Sequence, residues 1–157
     1  MSIKVVQNYT INDIKDGIRY LLEKASYEPG VREFALQLSG AEPDMISPIY
    51  GWIRQNVNYV SDPIDVELFT SPIRMISDYQ DGKLLAEDCD GMAMLATALY
   101  RSLGIESNVV LLDTGGGGID HAISQVKSDQ LGWINVDVSD KTHPLGWEIP
   151  YYSRLIV

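Results

Sequence analysis

Three side chains in this sequence have the types and placement for nucleophilic acyl chemistry. Cys89, the only cysteine, lies in "AEDCDG" (86–91), with Glu87, Asp88 and Asp90 around it. A free cysteine usually behaves as a small buried hydrophobe, and a core site does not suit charges on both sides. Nearby anions also make a thiolate harder to form. The segment that follows, "GMAMLATALYRSLG", resolves the conflict. Its spacing predicts a helix with Met94, Leu95, Ala98, Leu99 and Leu103 as the apolar stripe and Gly104 as the stop. Cys89 then sits at the first turn, where free N–H groups and the helix dipole favour a thiolate. Asp88 reads as the N-cap, its carboxylate turned to the backbone rather than to the sulfur.

A thiol nucleophile needs a base, and the chain has two histidines. His143 lies in the turn-rich "KTHPLGW" and reads as a structural or rim residue. His121 opens the strand-like "HAISQVK", and a base on a sheet is better fixed than one on a loop. The next strand, "WINVDVS", carries Asp137. A hairpin turning over Ser128 to Gln130 would set His121 opposite Asp137, Ile123 opposite Asn135 and Gln125 opposite Trp133. An acid directly across from a histidine is what a Cys-His-Asp triad requires. Its expected geometry has Nδ1–H on Asp137 and Nε2 toward Cys89. Backbone N–H groups at the helix start are the expected oxyanion donors, with Tyr59 and Asp88 as further oxyanion or cleft candidates.

These groups need elements to hold them. Residues 11–26 place Ile11, Ile14, Ile18, Leu21, Leu22 and Ala25 on one helical face, opened by a capping-box-like Thr10 and Asp13. "VREFALQLSG" predicts a short helix stopped by Gly40. A third helix is predicted over 44–57, and a fourth starts at Ser71-Pro72. After Gly104, "SNVVLLD", "HAISQVK", "WINVDVS" and "RLIV" read as strands. Helices first and an antiparallel sheet after them is the α+β pattern, read as a single domain over 1–157. "TGGGG" (114–118) has neither the Lys-Ser/Thr nor the helix of a phosphate loop, and is expected to be a mobile loop beside the cleft. Trp52, Trp133 and Trp147 are expected in the core or as cleft walls.

"EDCDGMAMLATALYRSLGI", then "DHAISQV", then "GWINVDVS" resemble the transglutaminase-like superfamily of papain-like cysteine enzymes. "WIRQNVNYVSDP" and "ELFTSPIRMI" resemble the region before the cysteine in small bacterial and phage-encoded members. The resemblance covers roughly 46–140. It implies a papain-like core with the catalytic Cys at a helix start packed on a small antiparallel sheet. It also implies Cys89 as nucleophile, His121 as general base and Asp137 as orienter, working through a thioester on a protein or peptide substrate. Hydrolysis of peptide or amide bonds is the expected outcome. Acyl transfer (cross-linking or deamidation) and a non-catalytic binding or virion-assembly module are the alternatives. Two positions depart from the pattern: Glu87 where Gly is common, and Gly91 where a second Asp is frequent.

Composition excludes several other classes. Twelve basic against 22 acidic residues give a net charge of −10, so nucleic acid and anionic membrane surfaces are not expected partners. No long apolar run predicts membrane insertion. "MSIKVVQNYT" lacks the features of a secretory signal, so the expected location is cytoplasmic at synthesis, with virion association open. One cysteine forbids an internal disulfide and, with two histidines, a four-ligand zinc site. No cofactor is required by the chemistry. Calcium is the one ion the sequence suggests, through Glu87, Asp88 and Asp90.

Overall fold

The computed structural model describes residues 3–40 and 44–157. The elements run β1 (Ile3–Gln7), α1 (Ile11–Ser26), α2 (Pro29–Ser39), α3 (Ile46–Asn56), β2 (Val57–Tyr59), β3 (Val66–Thr70), α4 (Pro72–Gln80), β4 (Leu85–Glu87), α5 (Cys89–Ser102), β5 (Ser107–Asp113), β6 (His121–Ser128), β7 (Gly132–Val136) and β8 (Ser153–Ile156). The main sheet is antiparallel in the order β7-β6-β5-β8. The α+β expectation holds, as do the starts of α1 and α4, while α2 begins at Pro29, two residues before the expected Val31. Thr10 and Asp13 form a reciprocal capping box, and Ser71 caps α4 ahead of Pro72. The third helix is slightly shorter than the predicted 44–57. Two small pairings escaped the sequence: β1 against β3, antiparallel, and β2 against β4, parallel.

Helix α5 is the centre of the molecule. The sequence predicted an apolar stripe, yet every residue from Asp90 to Tyr100 is buried. Small side chains explain this. Gly91, Ala93, Ala96 and Ala98 let α1, α2 and α3 close in on one side and β6 on the other. Met92, Met94, Leu95 and Leu99 fill the gaps, each fully buried large side chain contributing roughly 1.5–3 kcal/mol. A buried hydrogen bond of 2.7 Å between the Thr97 and Ser124 hydroxyls pins α5 to β6. The helix that begins at Cys89 and the strand that begins at His121 are thereby locked together.

The β6–β7 hairpin corrects one expectation. Gln125 faces Asn135, Lys127 faces Trp133 and Ser128 faces Gly132. The expected pairs, Ile123–Asn135 and Gln125–Trp133, are each displaced by two residues. The cause is the turn. Asp129, Gln130 and Leu131 form a three-residue loop closed by Gly132 at φ 72°, the left-handed position such loops demand. Ser128 Oγ accepts from the Gln130 and Leu131 amides, both at 3.3 Å. A shift of two residues keeps every side chain on its face, so Asp137 still shares a face with His121. It is now diagonal to His121 rather than opposite it.

Candidate active site

Cys89 is the first residue of α5 and is half-buried against the core. Asp88 is the N-cap, and its Oδ1 accepts from the Gly91 amide at 3.1 Å. Its backbone carbonyl accepts from Met92. The capping role expected for Asp88 is therefore present, and the N–H groups of Cys89 and Asp90 lie ahead of that bonded turn. Glu87 folds over the turn from β4. A Cβ at Gly91 would lie 2.2 Å from Glu87 Oε2. The two departures from the family pattern thus occupy one space: a carboxyl from residue 87 fills the room that a side chain at residue 91 would take. Burial, with Asp88 and Asp62 adding to it, raises the Glu87 carboxyl to about 7 despite an opposing contact with Thr70.

His121 Nε2–H donates to Asp137 Oδ2 at 2.8 Å. The expected ring orientation, with Nδ1 on the aspartate, is reversed, leaving Nδ1 as the nitrogen available to Cys89. Burial alone would lower the ring's pKa. Asp137 and Cys89 together outweigh burial and raise it to about 10. The imidazolium is the favoured form at neutral pH.

Asp137 is 1% exposed and fully saturated with donors. Its Oδ1 accepts from Ser139 N, Ser139 Oγ and Asp140 N at 3.2, 3.0 and 3.2 Å. Its Oδ2 takes His121 and also His143, whose Nδ1 lies at 2.9 Å. Burial would raise the carboxyl, but His121 and His143 reverse that and lower it to about 2. A buried anion is tolerable only when paired and hydrogen-bonded in this way.

The sequence reading passed over His143 as a rim or structural residue, and the structure places it on the Asp137 carboxylate. Its loop is clamped from a distance. Tyr50 Oη donates to the His143 carbonyl at 2.7 Å, and Arg54 reaches both Tyr50 Oη and the Lys141 carbonyl. Asn135 Nδ2 donates to the Trp147 carbonyl at 3.0 Å, and Trp147 stacks on the His143 ring at 5.8 Å between centroids. The only signal for His143 in the sequence is its position six residues after Asp137.

The remaining candidates fall elsewhere. Tyr59 is 53% exposed, pairs in register with Glu87, and its hydroxyl takes a bond from Ser61. Asp120 holds the glycine-rich loop through the Thr114 and Gly115 amides, and Asp113 holds it through Gly116 and Gly118. That loop is tied at both ends. Trp52 packs edge-on against Phe34 and Tyr79. Of the three carboxylates suggested for calcium, Asp88 lies with Asp62 and Glu67, within 4.8 Å of one another. Asp90 is crowded by Asp88 and Glu67.

Comparison with known proteins follows the same lines. No curated protein matches the chain. A sequence profile described as the transglutaminase-like superfamily matches residues 32–138, a span containing Cys89, His121 and Asp137. Among solved structures, a candidate protease from Parabacteroides distasonis superposes with a TM-score of 0.56 at 15% identity, over 85% of this chain and 28% of that one. A candidate cysteine protease from Cytophaga hutchinsonii gives 0.53 at 22% identity, over 87% and 49%. The periplasmic domain of TgpA from Pseudomonas aeruginosa, solved with ethylmercury bound, gives 0.50 at 16%, over 76% and 49%. The chain spans half or less of these proteins, and the likeness to them is one of fold. Among the described residues, no helix is long and apolar enough to cross a membrane. With the profile covering about two thirds of its length and the fold in agreement, the chain belongs to the transglutaminase-like superfamily.

Proposed function

We propose that the protein is a cysteine-dependent hydrolase of peptide or amide bonds, with Cys89, His121 and Asp137 as its triad. The observation that carries this reading is the buried Asp137 Oδ2 on His121 Nε2 at 2.8 Å, with Cys89 acting on the same ring from a helix start. Cys89 attacks a carbonyl as a thiolate paired with the His121 imidazolium. A C–S bond forms, and the oxyanion is received by the Cys89 and Asp90 N–H groups. His121 gives its proton to the departing amine as the C–N bond breaks. The neutral imidazole then takes a proton from water as its oxygen attacks the thioester; the C–S bond breaks, the acid leaves, and the Cys89 thiolate and His121 imidazolium are restored. Asp137 stays ionised throughout, holding the ring and balancing its charge.

The test offers a peptide library with and without added amine and reads products and acyl-enzyme by mass spectrometry. Hydrolysed peptides and a Cys89 thioester support the proposal. Amine-coupled products alone would make the protein an acyl transferase. No acyl-enzyme, together with labelling by a thiol-directed amide warhead no faster than a free thiol, would make it a non-catalytic module.

A further inference from the structure

Both histidines of this chain meet on one oxygen. Asp137 Oδ2 receives His121 Nε2 at 2.8 Å and His143 Nδ1 at 2.9 Å. The proposed reaction uses the first and leaves the second without a task. His143 is nonetheless held on several sides. Its amide donates to the Asp140 carbonyl at 3.2 Å, Tyr50 Oη fixes its own carbonyl, and Trp147 lies over its ring with 13° between the planes. Its side chain is 23% exposed, and its Nε2 stands 3.5 Å from Asp140 Oδ2. Asp137 is held ionised and can only accept, so His143 Nδ1 must carry a hydrogen, as His121 Nε2 does. Each donor on a carboxylate stabilises its charge and weakens its pull on the others.

We propose that His143 is a positioning residue for the water step: by sharing Asp137 Oδ2, it limits how firmly Asp137 holds the proton of His121 once Cys89 is acylated. This rests on the hydrolytic reading of the site. In the free protein, burial works against the His121 imidazolium, while Asp137 and Cys89 support it. Acylation removes the thiolate and leaves Asp137 as the support. A ring that regains a proton from solvent at that stage cannot take one from water. An Asp137 with a single imidazole on Oδ2 would favour that blocked form. With Oδ2 divided, the neutral ring is reached at lower pH. Asp137 Oδ1 works in the same direction, because Ser139 N, Ser139 Oγ and Asp140 N already donate to it. Among the described residues, the titratable and charged groups facing this network are Cys89 from α5, Tyr50 and Arg54 from α3, Asp120 ahead of β6 and Asp140 in the loop. Variants at residue 143 leave all of these in place except the shared bond.

The test is nitrogen NMR titration of the two imidazoles in the full chain carrying Cys89→Ser, where, as in the thioester, the atom beside His121 bears no charge. With His143 present, its Nδ1 should keep its hydrogen between about pH 5 and 9. His143→Phe keeps a flat ring under Trp147 and removes the donor. It should raise the His121 midpoint by roughly 0.5–1 in pH, about a three- to tenfold gain in proton affinity. His143→Asn, whose side-chain N–H can stand in for Nδ1–H, should bring the midpoint back toward that of the histidine form. If His143→Phe does not fold, His143→Leu replaces it with the same expectation. A midpoint unmoved in whichever variant folds would overturn the proposal, and so would a bare His143 Nδ1. A midpoint raised as far by His143→Asn as by His143→Phe would overturn the shared hydrogen bond as its cause. No turnover is measured, so this coupling and the proposed reaction can fail separately.

Discussion

Gly91→Ala probes the coupling between the two departures from the family pattern. The added Cβ would lie 2.2 Å from Glu87 Oε2, 2.9 Å from Cδ and 3.2 Å from Cγ. The colliding atoms are the end of a flexible side chain, so Glu87 swings away rather than forcing the helix to move. The cost is what Glu87 leaves behind, namely its contact with Thr70 and its place over the turn. Losing a hydrogen bond to a carboxyl of this kind costs about 1.5–3 kcal/mol, against which alanine's helix advantage over glycine contributes about 1. The net loss is about 0.5–2 kcal/mol, or roughly 1–8 °C in Tm for a chain of this length. In a Glu87→Ala background the collision is gone, and Gly91→Ala should raise Tm by about 2–4 °C. The assay is a four-protein cycle followed by circular dichroism. Equal effects of Gly91→Ala in both backgrounds would refute the reasoning, because the coupling between the two positions would then be zero. A second cycle extends the point: Glu87→Gly with Gly91→Asp should fold as wild type, whereas Gly91→Asp alone should not.

Asp137→Asn should keep the fold and cost about 10²–10⁴-fold in peptide hydrolysis, because an amide cannot balance the imidazolium. Wild-type rates would remove Asp137 from the mechanism. His143→Ala leaves Asp137 Oδ2 with one imidazole instead of two and should slow Cys89 alkylation less than His121→Ala does, while shifting its pH profile. An unchanged profile would make His143 purely structural. Stability in chelator should rise as pH falls from 7.5 to 5. Glu87 and Asp62 are raised to about 7 and about 6, so they bind protons in the folded chain before the unfolded one. Below pH 4 the sign reverses. Asp137 is depressed to about 2, and its contribution, present above the unfolded value of 3.8, is lost as pH falls through the folded one. A Tm that falls steadily from pH 7.5 to 5 would contradict the first half of this profile.

What the sequence disclosed and what it hid divide along a physical line. Local signals were legible: Asp88 as a cap, Thr10 with Asp13, Ser71 before Pro72, and the strands after Gly104. Each depends on residues within a few positions of one another. The pairings of β2 with β4 and β1 with β3 were not legible. Strands of three and five residues are too short to show alternation, and their partners are distant in sequence. The burial of α5 on all sides was hidden for a related reason: alanines read as neutral until the helices that pack on them are known.

The site itself obeys the same division, with one instructive exception. His121 and Asp137 were placed together through a register that was wrong by two residues, and they still meet. An even slip preserves the face of a strand, so the carboxylate and the ring remain on one side of the sheet. What changes is which nitrogen is met. The nitrogen met is Nε2, which leaves Nδ1 as the one facing away from Asp137. His143 enters by the same geometry. A carboxylate beyond the end of β7 is open on its far side, and the loop that Tyr50 and Arg54 hold in place supplies a second ring to it.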